Sequence, residues 1–231
     1  MQRNVYVIMP VYNEEQVVGR VIAELQKHFT NIICVDDGSS DDSVREIAKT
    51  NAVLIKHVRN QGQGAALRTG IAYALSKKGA KYFVTFDADG QHRPLDAVDM
   101  LEHLKSRKVD IVLGSRFLGA EAEGLPVVKR IVLKAAIVFS SLTTGLKLTD
   151  THNGLRVFNR EVAARLRLTC SGMAHASEII YRVAENNFTY AELPVTIKYS
   201  RYSNNKGQSV FNAFNIVKEI ITYRLQKDPT D

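Results

Sequence analysis

The stretch from Tyr82 to Gln91 reads YFVTFDADGQ and joins a strand-like segment to an acidic turn. Its first five residues are aromatic, β-branched or both, which is typical of a buried strand. Asp87 and Asp89 follow, and two carboxylates so close together repel each other unless a cation binds between them. Mg²⁺ commonly takes one or two carboxylates together with substrate phosphates, and Gln91 offers a further oxygen. The stretch predicts a metal–diphosphate site at a strand end, with a solvated acidic turn as the alternative.

Strand-like and helical segments alternate through the first half of the chain. Predicted strands begin at Val5, Ile32, Val53, Tyr82 and Asp110, and a predicted helix follows each of the first four. This alternation predicts an α/β fold, with a mostly parallel central sheet covered by helices on both faces.

Polar residues follow each predicted strand. They are Tyr12 and Glu14, Asp36 and Asp37, the loop 61–64, Asp87 and Asp89, and Arg116. Ligands of parallel sheets bind beyond the carboxyl ends of the strands, where all these residues would meet. The sequence therefore predicts a phosphate- or nucleotide-binding site at that edge.

Several local features lead to further expectations. Asn13 is predicted to cap the first helix, and Phe188–Lys198 to form an edge strand because Pro194 interrupts it. The apolar segment 126–148 predicts an amphipathic helix that packs on the core or lies in a membrane interface. A last helix is expected to begin at Ser209.

Composition indicates an ordinary globular protein of 231 residues, which we expect to form a single domain, 1–231. Residues 1–125 carry 16 Lys and Arg against 16 Asp and Glu, whereas residues 126–231 carry 15 against 8. The basic second half favours an anionic partner or is a solvated face. Two cysteines, no signal-peptide pattern and no apolar run long enough to span a bilayer favour a cytoplasmic protein.

Six motifs together resemble the family 2 glycosyltransferases with the GT-A fold. They are VIMPVYNEE from Val7, VDDGSSDDS from Val35, RNQGQGAALRTG from Arg59, FDADGQ from Phe86, LGSR from Leu113 and DTHNGLRVF from Asp150. They occur in the family's order over about two thirds of the chain. The resemblance is strongest to the branch that includes dolichol-phosphate mannose synthase and bacterial polyprenyl-phosphate glycosyltransferases.

The resemblance implies a nucleotide-sugar-binding half, 1–125, and an acceptor-binding half, 126–231. It implies that the nucleotide-sugar donor contacts Pro10, Tyr12, Glu14, Asp36, Asp37, Gly64, Arg68, Ala88 and Asp89. It implies Mg²⁺ or Mn²⁺ on Asp87, Asp89 and Gln91, and a catalytic role for Asp87, Asp89 and Arg116. The predicted phosphate contacts, for the acceptor above all, are Arg116, Arg130, Arg156 and Lys206.

The expected activity is metal-dependent, inverting transfer of a sugar from a UDP- or GDP-sugar, UDP being favoured, onto polyprenyl phosphate. A hydroxyl acceptor would need a carboxylate base, for which Asp150 is a candidate, although it could instead cap the turn before Gly154. A phosphate monoester, with a second pKa of about 6, is already ionised and needs none. The alternatives are transfer to a saccharide hydroxyl and, from the Asp87–Gly90 stretch alone, a haloacid-dehalogenase-like phosphatase.

The expected partners follow from this chemistry. They are the nucleotide-sugar donor, the polyprenyl phosphate acceptor and a membrane surface that the protein contacts peripherally. A small membrane protein or a second copy of the chain is a candidate protein partner. Nucleic acid is not expected as a partner. The histidines show no metal-ligand spacing. His92 is interpreted as a solvent-facing turn residue, with a contact to the diphosphate as the alternative.

Overall fold

The computed structural model describes residues 2–118, 134, 137–138, 140–172 and 174–198. Within these ranges, the strands are β1 (Val5–Val11), β2 (Asn31–Asp36), β3 (Val53–Lys56), β4 (Tyr82–Thr85), β5 (Ile111–Ser115), β6 (Arg156–Asn159) and β7 (Tyr190–Pro194). The helices are α1 (Val18–Gln26), α2 (Ser43–Ala48), α3 (Gln63–Leu75), α4 (Pro94–Arg107), α5 (Arg160–Arg165) and α6 (His175–Glu185).

The strands form one sheet in the order β3-β2-β1-β4-β6-β5-β7. β6 runs antiparallel to both of its neighbours, and the other strand pairs are parallel. The predicted α/β fold with a mostly parallel sheet is thus confirmed. Strand order reverses at β1, which has β2 on one side and β4 on the other. Such a reversal opens a crevice beyond the carboxyl ends of the two strands, where ligands of α/β sheets bind.

Helices cover both faces of the sheet, which explains why its strands are almost continuously apolar. On one face, Val5, Val7 and Met9 of β1 belong to a cluster that includes the buried residues of α1 and α4. On the other, Ile8 belongs to a cluster built from α3, α5 and α6. Because successive β1 side chains enter two different cores, the register of the strand is fixed. The position of its carboxyl end relative to the site is therefore fixed as well.

Two local predictions have different outcomes. The prediction that Asn13 caps the first helix is wrong: α1 begins at Val18, and the Asn13 side chain instead accepts a hydrogen bond from the Ser40 amide at 2.8 Å. Asn13 has a positive φ of 55°, a conformation that asparagine tolerates and that suits a turn. The predicted edge position is confirmed for the part of the chain that the structure describes, where β7 pairs with β5 alone, and Pro194 ends the strand rather than interrupting it.

The predicted amphipathic segment 126–148 lies largely outside the described residues, as does the helix expected from Ser209. Residues 140–144 are helical, and Val138 and Leu142 are exposed by 58% and 82%. In the part of the chain that the structure describes, every helix is too short or too polar to cross a bilayer.

Candidate active site

The candidate site lies at the crevice beyond the ends of β1 and β4. Its central group is the Asp87 carboxylate, which follows β4 and is 27% exposed. Oδ1 accepts a hydrogen bond from the Gln63 side-chain amide at 2.9 Å, and Oδ2 accepts one from His92 Nε2 at 3.0 Å. Asp89 Oδ1 accepts the backbone amide of Gln91 at 3.0 Å. Both carboxylates are therefore held by hydrogen bonds at the mouth of the sheet.

The two carboxylates differ in their electrostatic environment. Burial, and after it the negative charge of Asp87, raises the pKa of Asp89 to about 6. Burial also acts to raise the pKa of Asp87, but the hydrogen bond from His92 and the charges of His92 and Arg156 outweigh it, and the pKa is lowered. Asp87 thus keeps its charge, and Asp89 ionises more readily when a cation balances the pair.

This donor set fits a hard divalent cation bound together with a substrate. Within the described ranges, no group of three or more His, Cys, Asp or Glu side chains is placed to hold a metal. Two carboxylates alone leave most of an octahedral shell to phosphate oxygens and water, which is how Mg²⁺ is usually held. The partly exposed Asp87 and the raised pKa of Asp89 are the features that favour such an ion.

Beneath Asp87 lies a buried positive charge. Arg156, at the start of β6, is only 2% exposed, and burial lowers its pKa to about 10, although the charges of Asp87 and Asp150 oppose that shift. Burial also lowers the pKa values of His152 and His175 to about 4, so both are neutral at neutral pH. Arg156 therefore supplies a fixed positive charge at the base of the site.

Gly154 allows this arrangement, because a Cβ atom at that position would overlap the Asp87 carboxylate. Its carbonyl oxygen accepts a hydrogen bond from Thr85 Oγ1 at 2.6 Å, which fixes the loop before β6 against the end of β4. The DTHNGLRVF motif thus places two groups next to Asp87: the backbone of Gly154, which approaches it closely, and the buried cation of Arg156.

The two aspartates at the end of β2, Asp36 and Asp37, have separate functions in the fold. Asp37 is buried, and its carboxylate accepts the backbone amides of Gln61 at 3.0 Å and Gly62 at 2.7 Å. Its Oδ1 also lies 2.7 Å from His57 Nδ1. Asp37 thereby shapes the loop before α3. Asp36 is buried too, and among the described residues its Oδ1 has no hydrogen-bond partner, which leaves that oxygen able to accept a ligand N–H.

The other residues predicted to contact the nucleotide lie around the same edge. Tyr12 is 47% exposed beyond β1, and Ala88 is buried between the two aspartates. The amide of Glu14 donates to Ser43 Oγ at 2.7 Å, which ties the loop after β1 to α2. Pro10 lies in β1, and the buried Gly64 and exposed Arg68 lie in the first turns of α3. Their contacts with a nucleotide stay predictions.

Arg116 and Asp150 form an ion pair that is almost fully buried. Asp150 Oδ2 accepts hydrogen bonds from Arg116 Nε at 2.6 Å and from its backbone amide at 3.1 Å. The side chains are 11% and 1% exposed. Asp150 Oδ1 accepts the His152 amide, and Glu192 accepts the amides of Thr149 and Asp150. Asp150, a candidate base from the sequence, is thus occupied in holding Arg116 and the loop that carries it.

The structure brings Asp87, Asp89, Arg116 and Arg156 into one charged region, whereas Arg130 and Lys206 lie outside the described residues. It also changes the interpretation of His92 and gives Gln63, which lies in the predicted loop 61–64, a specific partner. The prediction that His92 faces solvent is wrong, because its side chain is 4% exposed and packs edge-on against Phe86. Gln63 reaches Asp87 from 24 residues away, a contact that only the assembled sheet creates.

The fold and the paired carboxylates define an α/β enzyme of the GT-A type. The sequence profile of glycosyl transferase family 2 matches residues 6–167, so the chain belongs to that family and is a glycosyltransferase. The haloacid-dehalogenase alternative does not account for this membership.

Relatives of known activity extend over nearly the whole chain. It is 32% identical to a UDP-N-acetylglucosamine–dolichyl-phosphate N-acetylglucosaminyltransferase from Methanococcus voltae, over 96% of this chain and 97% of the relative. It is 29% identical to a polyprenol monophosphomannose synthase from Mycolicibacterium smegmatis, over 82% and 76%.

Solved structures show the same fold. Glucosyl-3-phosphoglycerate synthase from Mycobacterium tuberculosis superposes with a TM-score of 0.74 at 18% identity, covering 97% of this chain and 80% of that one. The same enzyme, solved with Mn²⁺, UDP and phosphoglyceric acid, superposes with a TM-score of 0.72. At this identity, the likeness establishes the GT-A fold and not the substrate.

Proposed function

We propose that the protein transfers a sugar from a nucleotide-diphosphate sugar to the phosphate of a polyprenyl phosphate, with inversion at the anomeric carbon. The observation that carries this proposal is that the Asp150 carboxylate is already engaged in hydrogen bonds. A hydroxyl acceptor needs a carboxylate to remove its proton, and the one candidate from the sequence is bound to Arg116 and to the His152 amide. A phosphate monoester, with a second pKa of about 6, is already ionised.

The names of the two relatives support the same acceptor. One is a dolichyl-phosphate transferase and the other a polyprenol monophosphomannose synthase, so both act on isoprenoid phosphates. The Methanococcus voltae relative uses a UDP-sugar, which favours UDP over GDP for this chain. We place the reaction at the cytoplasmic face of a membrane, with the protein bound peripherally, alone or through a second copy or a small membrane protein.

Asp87 and Asp89 would hold Mg²⁺ or Mn²⁺, with Gln91 as the third predicted ligand. Such an ion would act as a Lewis acid that neutralises the departing nucleotide diphosphate. The chain's own residues prepare that step. His92 and Arg156 keep Asp87 ionised, and Asp150 fixes the position of Arg116, which would contact a phosphate group of donor or acceptor.

The buried position of Arg156 refines the role predicted for it. Since its side chain is 2% exposed and its charge faces Asp87 and Asp150, we assign it to charge balance beneath the site. Arg116, Arg130 and Lys206 then remain the candidates for direct contact with the acceptor phosphate.

The test is transfer of radiolabel into an organic extract. The protein is incubated with labelled UDP- and GDP-sugars, Mn²⁺ and a short polyprenyl phosphate, and the lipid is extracted. We expect label in the organic phase with one donor class. EDTA should abolish this transfer, and Asp87→Asn and Asp89→Asn should each reduce it at least about 100-fold. Asp42→Asn, which removes an exposed carboxylate 3.9 Å from Arg45, is the matched control and should retain full activity.

Two outcomes would overturn the proposal. Label that stays in water with every donor and lipid, while a saccharide acceptor becomes labelled, would favour the hydroxyl acceptor instead. Full activity in EDTA, or in both aspartate variants, would remove the metal from the mechanism.

A further inference from the structure

Gln63 connects the loop before α3 to the proposed metal site. Its Nε2 donates to Asp87 Oδ1 at 2.9 Å. We infer that Gln63 is a positioning residue that sets the orientation of the metal-binding carboxylate, an inference that rests on the function proposed above. Neither the sequence motifs nor the named relatives assign it that role.

The backbone around Gln63 is fixed on two sides, so its side chain starts from a defined point. Gly62, with φ of 95°, and Gly64 both lie where a Cβ atom would overlap the carbonyl oxygens of Ser171 or Cys170. The Gly64 amide donates to Ser171 O at 2.7 Å. On the other side, the Gly62 amide donates to Asp37. Because the backbone is already fixed, the contact requires the ordering of the Gln63 side chain alone.

Asp87 needs this second contact because a carboxylate turns easily about its last side-chain bond, where the energy wells are broad. His92 holds Oδ2, and that single hydrogen bond leaves the plane of the carboxylate poorly fixed. The contact from Gln63 to Oδ1 defines the plane. An ionised oxygen carries two lone pairs, so Oδ1 can accept the amide and still bind a cation. Ligating carboxylates oriented in this way bind metals more tightly.

The same contact links the metal site to the loop 61–62. Asp37 accepts both amides of that loop, and Gln63 follows it directly in the chain. A nucleotide that moves the loop would therefore also move the donor on Asp87 Oδ1. This predicts that binding of nucleotide and of metal are coupled through Gln63.

The test measures Mn²⁺ binding rather than activity. Free Mn²⁺ is followed by its EPR signal during titration of the protein with Mn²⁺ alone, and with Mn²⁺ in the presence of saturating UDP. We expect Gln63→Leu to weaken Mn²⁺ binding by about 10- to 100-fold, the usual effect of removing a group that orients a ligand. Gln26→Leu is the matched control, because Gln26 is the last residue of α1 and has no place in the proposed site.

The outcomes separate this inference from the proposed function. Wild-type Mn²⁺ affinity in Gln63→Leu, together with weakened binding in Asp87→Asn, would overturn the role of Gln63 and leave the metal site intact. A wild-type protein that binds no Mn²⁺ with or without UDP would overturn both. If Gln63→Leu does not fold, as judged by far-UV circular dichroism, Gln63→Ala is measured in the same way and decides the question by the same criteria.

Discussion

Replacing Asp150 by asparagine separates two roles for this residue, a general base and an anchor for Arg116. The pair is joined at 2.6 Å, and its side chains are 11% and 1% exposed. Removing one partner of a buried pair leaves the other charge uncompensated, at a cost of about 3–5 kcal/mol. Asparagine keeps the shape and part of the hydrogen bonding, so we expect a loss of about 3 kcal/mol in the free energy of unfolding.

In a chain of this size, a loss of about 3 kcal/mol corresponds to a fall in Tm of about 6–12 °C. Because Arg116 would lose its fixed orientation, KM for the phosphate acceptor should rise. The pH dependence of kcat should keep its shape, since no base has been removed. The measurements are thermal unfolding and steady-state kinetics over pH, with Asp42→Asn as the exposed control, expected to change stability by less than about 1 kcal/mol. An unchanged Tm together with loss of the acidic limb of the pH profile, where a general base would take up its proton, would refute the anchoring role.

Two further changes test the packing of Asp87 and the base of the sheet. Gly154→Ala forces a Cβ atom into the Asp87 carboxylate and should lower the transfer rate by about 100-fold, whereas Gly79→Ala, which has open space around its Cβ position, should behave as wild type in the same assay. Asp110 accepts hydrogen bonds from Thr189 and Asn159. Burial acts to raise the pKa of Asp110, but these hydrogen bonds outweigh burial, so the pKa is lowered. Its stabilising effect is therefore present above the ordinary aspartate pKa of about 3.9 and is lost as the pH falls through the lowered value. Asp110→Asn should cost about 1 kcal/mol at pH 7 and almost nothing near pH 2, measured by urea unfolding; a constant difference across that range would contradict this.

The local sequence was sufficient to predict those features that depend on residues close together in the chain. The alternation of strands and helices follows from the periodicity of apolar residues, and Asp87 and Asp89 are identified because a buried strand ends in two carboxylates. The sheet order could not be predicted in the same way, because the position of β6 between β4 and β5 depends on pairings between distant segments.

The contacts that define the site were hidden for the same reason. Arg116 and Asp150 are 34 residues apart and meet only because β5 and β6 are neighbours. His92 follows Asp87 by five residues, and its burial depends on a turn through Gly90, whose φ is 75°. Asn13 had the right residue type for a helix cap, but a competing bond to the Ser40 amide decides its conformation.

The antiparallel strand has a consequence for how such enzymes can diversify. The chain leaves the sheet after Ser115 and returns at Arg156, and Leu113 and Arg156 are direct partners across β5 and β6. Both ends of the intervening forty or so residues are thus anchored side by side at the catalytic edge. Because lengthening a closed loop adds little entropic cost, the part of this stretch between Arg116 and Asp150 can be lengthened, shortened or rewritten while the donor-side scaffold keeps its register and Arg116, Asp150 and Gly154 keep their contacts. Specificity for a new acceptor could therefore be acquired by replacing this one segment.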